Sequence, residues 1–149
     1  MSEDEKKRNL DHYTDAQADD LLAQVATRAR AGGFSLRPFA ELAEPTGGTM
    51  VALPNSAGLN LTLDLRGLTA DMLRAELRPW LKRALAFLVD HGDTYLGGWY
   101  DAAGGKLYFD VSERYEDHGL AKRLGLERNQ RTVYRIEEDR LYFTGGTGT

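Results

Sequence analysis

Residues 93–101 contain the side chains best suited to bind a ligand. They read Asp-Thr-Tyr-Leu-Gly-Gly-Trp-Tyr-Asp, so three aromatic rings flank two adjacent glycines. Two glycines within a strand indicate a bulge or the close approach of another backbone, with Trp99 in the core. They also fit a groove with a glycine floor, walled by Tyr95, Trp99 and Tyr100, that would accept a peptide, a base or a sugar ring. Both interpretations stay open, and Tyr108 on the next strand belongs to the second.

A second candidate site is the segment that follows the last predicted helix. It contains two amides between two arginines, namely Arg128, Asn129, Gln130 and Arg131. The two amides would either cap backbone carbonyls or face a ligand. The surrounding segment, residues 122–135, is rich in cations and includes Tyr134, so it would hold phosphate or stack a base. A solvated helix end whose cations complement the helix dipole explains the same residues.

Familiar catalytic constellations do not occur in the sequence. Two carboxylates and an imidazole lie close together in Asp90, His91 and Asp93, but their spacing matches no standard metal motif. The end of a helix, followed by a glycine, explains the same residues equally well. Asp110 and Glu113, three residues apart on one strand, are expected to point to opposite faces. The chain has no cysteine. We therefore predict no catalytic residue, no metal site and no cofactor, with a metal-dependent enzyme around residues 90–110 as an alternative.

Hydrophobic periodicity predicts the elements that must position these side chains. Apolar residues recur at helical spacing over residues 14–31 and 69–91, with Pro79 either kinking the second helix or starting a new one. A third helix is predicted over residues 116–129, which are acidic at the start and basic at the end. Short or alternating apolar segments predict strands. These are residues 34–36, 49–53, 59–65, 94–100, 106–113, 132–136 and 140–144.

The order of these elements predicts a single α+β domain. It has a largely antiparallel sheet, with about three helices packed mainly on one face. Both tryptophans are expected to be shielded from water. The domain is expected to span residues 14–144, after a flexible lead-in of residues 1–13 and before a flexible, glycine-rich tail of residues 145–149.

Composition and charge limit the partners and the compartment. The 149 residues carry a net charge of −4, which gives no overall attraction to nucleic acid or anionic lipid. The longest strongly apolar run, residues 84–89, is too short to span a membrane, and the polar start has no signal core. We expect a cytoplasmic protein without a membrane partner. Exposed strand edges would also allow a homo-oligomer.

The C-terminal third of the chain resembles small proteins of actinobacterial phages and mobile elements. The likeness lies in residues 95–101, 105–114 and 128–131. It implies an origin in such an element and brings no catalytic residue with it. Together with the aromatic hairpin, it predicts a non-catalytic accessory protein that contacts a host or viral protein. Nucleic-acid binding through residues 122–135 is the alternative.

Overall fold

A computed structural model describes residues 15–39 and 44–148 of the chain, with side chains from residue 18 onward in the first helix. In this part of the chain the three helices are α1 (Asp15–Arg30), α2 (Ala70–Asp90) and α3 (His118–Glu127). The seven strands are β1 (Gly33–Leu36), β2 (Thr49–Ala52), β3 (Leu61–Asp64), β4 (Thr94–Asp101), β5 (Lys106–Tyr115), β6 (Thr132–Arg135) and β7 (Arg140–Phe143). Their order confirms the predicted α+β fold. The predicted lead-in lies outside the described residues.

Strand β5 is the centre of the sheet. The strands follow the order β1-β4-β5-β2-β6-β7, every pair is antiparallel, and β3 also pairs with β5. One side of β5 pairs with β4 along most of its length, from Lys106 to Glu113. Its other side pairs with β3 in its first half and with β2 in its second half. The position of a side chain along β5 therefore decides which neighbours it meets.

The three helices pack on the same face of the sheet. Alternate residues of β5 point to opposite faces of the sheet. Those on one face are buried beneath α1 and α2 in the main core, namely Leu107, Phe109 and Val111. Glu113 has the same parity and lies opposite Val51, which packs with Ala121 of α3. Residues of the other parity, Tyr108, Asp110, Ser112 and Arg114, point to the opposite side. We call that side the helix-free face, because none of the described helices packs on it.

Helix α2 is the main packing element. The Thr69 hydroxyl caps its start by accepting a hydrogen bond from the Met72 amide at 3.1 Å. Pro79 lies inside a single helix of 21 residues, on the solvent side, where the carbonyl that it leaves unpaired can bind water. Trp80 is fully buried, and its indole N–H donates to the Leu59 carbonyl at 2.8 Å. The prediction that this indole is shielded from water is confirmed.

Arg37, which follows β1, fixes the end of α2 to the start of β4. Its guanidinium donates to the carbonyls of Leu88 at 2.9 Å, His91 at 3.1 Å and Thr94 at 3.1 Å. A helix leaves its last carbonyls without intrahelical partners, and a cation there also complements the helix dipole. Burial lowers the pKa of Arg37, because the guanidinium loses part of its hydration in the fold. The hydrogen bonds to the three carbonyls compensate for that loss.

None of the described helices combines the length and the hydropathy that crossing a lipid bilayer requires.

We predict that Arg37→Met lowers the free energy of unfolding by about 2 kcal/mol, because hydrogen bonds that involve a charged group contribute about 1.5–3 kcal/mol. Urea unfolding followed by circular dichroism measures the change. Arg74→Met is the matched control, since Arg74 lies on the exposed side of α2 in an ion pair with Asp71. The control is expected to change stability by less than about 1 kcal/mol. Equal losses in the two variants would contradict this role for Arg37.

Candidate binding surface

The aromatic residues of the β4–β5 hairpin divide between the two faces of the sheet. Trp99 lies directly opposite Tyr108, and both point to the helix-free face. Tyr95 shares that face, whereas Tyr100 has the other parity and packs against the main core. The predicted groove walled by Tyr95, Trp99 and Tyr100 is therefore wrong in its last member. Alternation along a strand separates neighbouring residues, so Trp99 and Tyr100 cannot line one groove.

Trp99 forms the centre of the exposed surface. Its indole stacks on the Tyr108 ring with the centroids 4.4 Å apart and the planes inclined by 11°. The residue is 48% exposed, so the expectation that both tryptophans are shielded is wrong for this one. The physical reason is its parity in β4, which places it on the side of the sheet without helices. An exposed indole held against a second ring is a rigid apolar surface.

The two glycines of β4 make room for side chains from its two neighbouring strands. The one-to-one register of β4 with β5 continues through Gly97 and Gly98 without a bulge. A methyl group on Gly98 would lie 2.5 Å from the Phe34 ring, on the helix side. A methyl group on Gly97 would collide with a carboxylate oxygen of Asp110, on the helix-free side. The interpretations as a bulge or as a close backbone approach are therefore wrong, because side chains fill the space.

Asp110 is a carboxylate on the helix-free face, in the row of residues next to the aromatic pair. It lies two residues from Tyr108 in β5 and leans over Gly97 in β4, towards β1. The Ser112 hydroxyl donates a hydrogen bond to it at 3.2 Å. Burial raises the pKa of Asp110 to about 6, and the bond from Ser112 offsets only part of this effect. The carboxylate is thus costly to ionise in the folded chain.

A short row of residues crosses the sheet through the aromatic pair. It runs from Gly33 in β1 through Trp99 and Tyr108 to Thr62 in β3. Tyr108 covers one face of the indole. On the other side, the neighbouring position belongs to Gly33, which is exposed and has no side chain to cover the second face. The indole is therefore open towards the β1 edge of the sheet.

Tyr95 belongs to a polar cluster further along the same face. Its hydroxyl donates to Asp93 at 3.0 Å, and Arg114 donates to the same carboxylate at 2.9 Å. Arg114 also contacts Glu116 at 2.5 Å. The structure thus brings Trp99 and Tyr108 together. Tyr95 belongs instead to an ion-pair network at the end of the hairpin far from its turn, where β4 begins and β5 ends.

The second predicted site, residues 128–131, is occupied by internal contacts. Arg128 forms an ion pair with Glu113 at 2.5 Å, and both side chains are largely buried. The Gln130 amide donates to the Leu53 carbonyl at 3.1 Å. Asn129 adopts a left-handed backbone with φ of 55°. Arg131 is exposed. Arg128 also donates to the Ala52 carbonyl at 3.4 Å, so Arg128 and Gln130 connect the end of α3 to the end of β2. The Gln130 amide thus binds a backbone carbonyl, as its structural interpretation predicts.

Asn129 also holds the segment after β7. Its side-chain amide donates to the Thr147 hydroxyl at 2.7 Å, and its side-chain oxygen accepts from the Thr147 amide at 2.9 Å. Its carbonyl accepts from the Gly148 amide at 2.8 Å. These bonds connect the predicted tail to the end of α3, and its flexibility stays a prediction.

The cations of residues 122–135 do not share a surface with the aromatic pair. Helix α3 lies on the helix side of the sheet, as does Arg135, whose guanidinium lies near Glu137 at 3.8 Å and Glu138 at 3.5 Å. The Lys122 ammonium lies over the Tyr142 ring, 5.9 Å from its centroid. Carboxylates thus neutralise part of the cluster, and α3 and Arg135 lie across the sheet from Trp99.

The acidic residues near the hairpin do not gather into a metal site. Asp93 is engaged by Tyr95 and Arg114, and the His91 ring nitrogen lies 2.8 Å from the Phe87 carbonyl. Asp110 and Glu113 point to opposite faces, as predicted. No group of three or more potential metal ligands occurs among residues 15–39 and 44–148.

Gly33 is the site residue that the sequence did not reveal. Together with Gly32 it indicates the end of α1. Its second role depends on its position opposite Trp99, 66 residues away in the sequence. Alternation along β1 indicates the face of the sheet on which Gly33 lies, but it does not show that β1 pairs with β4.

Comparison of the chain with protein-family models found no matching family. Neither the curated proteins nor the solved structures include a significant match. The fold and the site define an antiparallel α+β protein with an aromatic pair exposed on its helix-free face.

We predict that Asp110→Asn raises the free energy of unfolding at pH 8. The folded-state pKa of about 6 lies above the ordinary value of 3.8, so the contribution of Asp110 to stability is present below pH 4 and lost as pH rises through 6. Two pKa units correspond to at most about 3 kcal/mol, and we expect a gain of about 1–2 kcal/mol because the site is partly open to solvent.

Urea unfolding at pH 4 and pH 8 measures this difference. Asp71→Asn, on the exposed first turn of α2, is the control and is expected to change stability by less than about 1 kcal/mol at either pH. A variant of Asp110 that is less stable than the wild type at pH 8 would show that its charge is compensated in the fold.

Proposed function

We propose that this protein is a non-catalytic binding protein that contacts a partner protein through the helix-free face around Trp99 and Tyr108. The observation that carries the proposal is the exposed, stacked indole on a face that no described helix covers. Tryptophan and tyrosine are enriched among the residues that dominate binding energy at protein interfaces. The resemblance of the C-terminal third to phage proteins suggests that the partner is a host or viral protein.

The backbone beneath the pair supports this function. Trp99 and Tyr108 lie on β4 and β5, which are paired along eight consecutive positions, and each of these strands has a further neighbour in the sheet. A side chain that is already held by stacking loses less conformational freedom when a partner covers it. The surface is therefore suited to bind without rearranging.

Nucleic-acid binding through residues 122–135 is supported less well. The Arg128 guanidinium is paired with Glu113, and the aromatic pair lies on the other side of the sheet. Stacking of a base on Trp99 instead would bring a phosphate backbone near the Asp110 carboxylate, which repels phosphate when it is ionised. A strong decrease of affinity with added salt would be the mark of this alternative.

Site-specific crosslinking followed by affinity measurement tests the proposal. A photoreactive residue at Thr62, beside Tyr108, is expected to crosslink a partner in the native cell, whereas one at Met72 on α2 is not. The partner is then purified and titrated. Trp99→Thr is expected to weaken its binding at least tenfold, since truncation of a central interface residue costs about 2 kcal/mol or more.

Leu126→Thr is the matched control, because Leu126 on α3 is 50% exposed, close to the exposure of Trp99. It is expected to change the affinity less than twofold. Circular dichroism and thermal unfolding confirm that both variants fold. Equal effects of the two substitutions, or a partner that crosslinks only at Met72, would contradict the proposed surface.

A further inference from the structure

The open side of the Trp99 indole leaves space for one planar group above Gly33. We call this space the slot. Neighbouring strands lie about 4.8 Å apart, and side chains stand roughly perpendicular to the sheet. Trp99 and Tyr108 fill two successive positions of their row at a centroid distance of 4.4 Å. The next position, above Gly33, is exposed and holds no side chain. A flat group placed there would stack on the indole as Tyr108 does on its other face.

Asp110 supplies a negative charge next to this slot. Its carboxylate leans over Gly97, which lies directly opposite Ser35 in β1 and two residues before Trp99 in β4. Among the described residues it accepts a hydrogen bond from Ser112 and forms no ion pair. On the helix-free face, the open indole thus borders the position above Gly33, and the Asp110 carboxylate occupies the position above Gly97.

The chemistry of this space selects a planar cation. An aromatic face attracts cations, and a carboxylate binds a guanidinium through two parallel hydrogen bonds. Arginine is the side chain that combines a flat, stacking group with a permanent charge, whereas the lysine ammonium is a compact and strongly hydrated charge. A nucleobase would stack equally well, but its phosphate would meet the charge of Asp110.

Building on the proposed function, we propose that the partner protein inserts an arginine side chain into this slot. Its guanidinium stacks on the open face of Trp99 above Gly33 and pairs with the Asp110 carboxylate above Gly97. The remainder of the partner then covers the Trp99–Tyr108 pair. The slot would select the partner, and the aromatic pair would supply the apolar contact area.

Nuclear magnetic resonance with a short peptide tests the slot on the isolated protein. The probe is acetyl-Gly-Arg-Gly-amide, compared with the same peptide containing lysine or citrulline, a neutral planar analogue of arginine. The reporter is the indole N–H signal of Trp99 in the 15N-labelled chain, assigned by its loss in Trp99→Phe. The arginine peptide is expected to bind at least fivefold more tightly than the lysine peptide and to shift this signal, while the citrulline peptide does not.

Two variants test the carboxylate beside the slot and the space above Gly33. Asp110→Asn is expected to weaken binding of the arginine peptide at least fivefold, and it is expected to fold because it removes a charge that is costly to hold in the folded chain. Gly33→Val would fill the slot and is expected to abolish binding. A methyl group at Gly33 would lie 3.1 Å from the Gly98 carbonyl, so circular dichroism must confirm that this variant folds. Asp71→Asn is the control and is expected to leave binding unchanged.

The outcomes separate this inference from the proposed function. Equal binding of the arginine and citrulline peptides, or arginine binding that Asp110→Asn leaves unchanged, would overturn the arginine slot. If Trp99→Thr then still weakens the partner protein tenfold, the proposed surface stands without the slot. If the partner ignores Trp99 while the arginine peptide binds as expected, the slot is supported as a site for arginine and the proposed interface is wrong.

Discussion

The uninterrupted pairing of β4 with β5 is the constraint on which the rest of the structure depends. It sets Trp99 opposite Tyr108, Gly97 opposite Asp110 and Gly98 opposite Phe109. Because side chains alternate between the faces of a strand, this single register assigns every residue of the hairpin to one side. A shift by one position would move the buried residues Leu107, Phe109 and Val111 to solvent. The core that these residues form with α1 and α2 therefore also fixes which residues the helix-free face exposes.

The paired glycines show how the same register serves both faces. Gly98 makes space for Phe34 on the side that packs against the helices, and Gly97 makes space for Asp110 on the other. A larger residue at either position would displace a neighbouring side chain. One glycine thus contributes to the core, and the next one contributes to the surface that we propose binds a partner.

Local patterns in the sequence predicted the elements well. The apolar periodicity of residues 69–91 and the apolar segment of residues 59–65 agree with α2 and with β3, and the order of helices and strands agrees throughout the described chain. The alternation of apolar and polar residues over 106–113 agrees with the burial of Leu107, Phe109 and Val111, because this pattern is visible in the residues themselves. These features depend on contacts within a few residues or on a periodicity that any window of sequence shows.

The candidate site could be predicted only in part, because it depends on strand pairing over long distances. The sequence singled out Trp99 and Tyr108 but placed the indole in the core, since nothing local says which face of β4 the helices cover. Gly33 enters the site by pairing with Trp99, which lies 66 residues away in the sequence. Arg128 looked available to a ligand, and its ion pair with Glu113 depends on how α3 meets the sheet.

Quenching of tryptophan fluorescence by acrylamide tests the exposed position of Trp99 most directly. The chain has two tryptophans, of which Trp80 is fully buried and Trp99 is half exposed. The wild type is expected to show one accessible and one protected fraction of emission, and Trp99→Phe is expected to lose the accessible fraction and keep the protected one. If the wild type contained no accessible fraction, or if Trp99→Phe retained it, the indole of Trp99 would not form the exposed surface that we propose binds a partner.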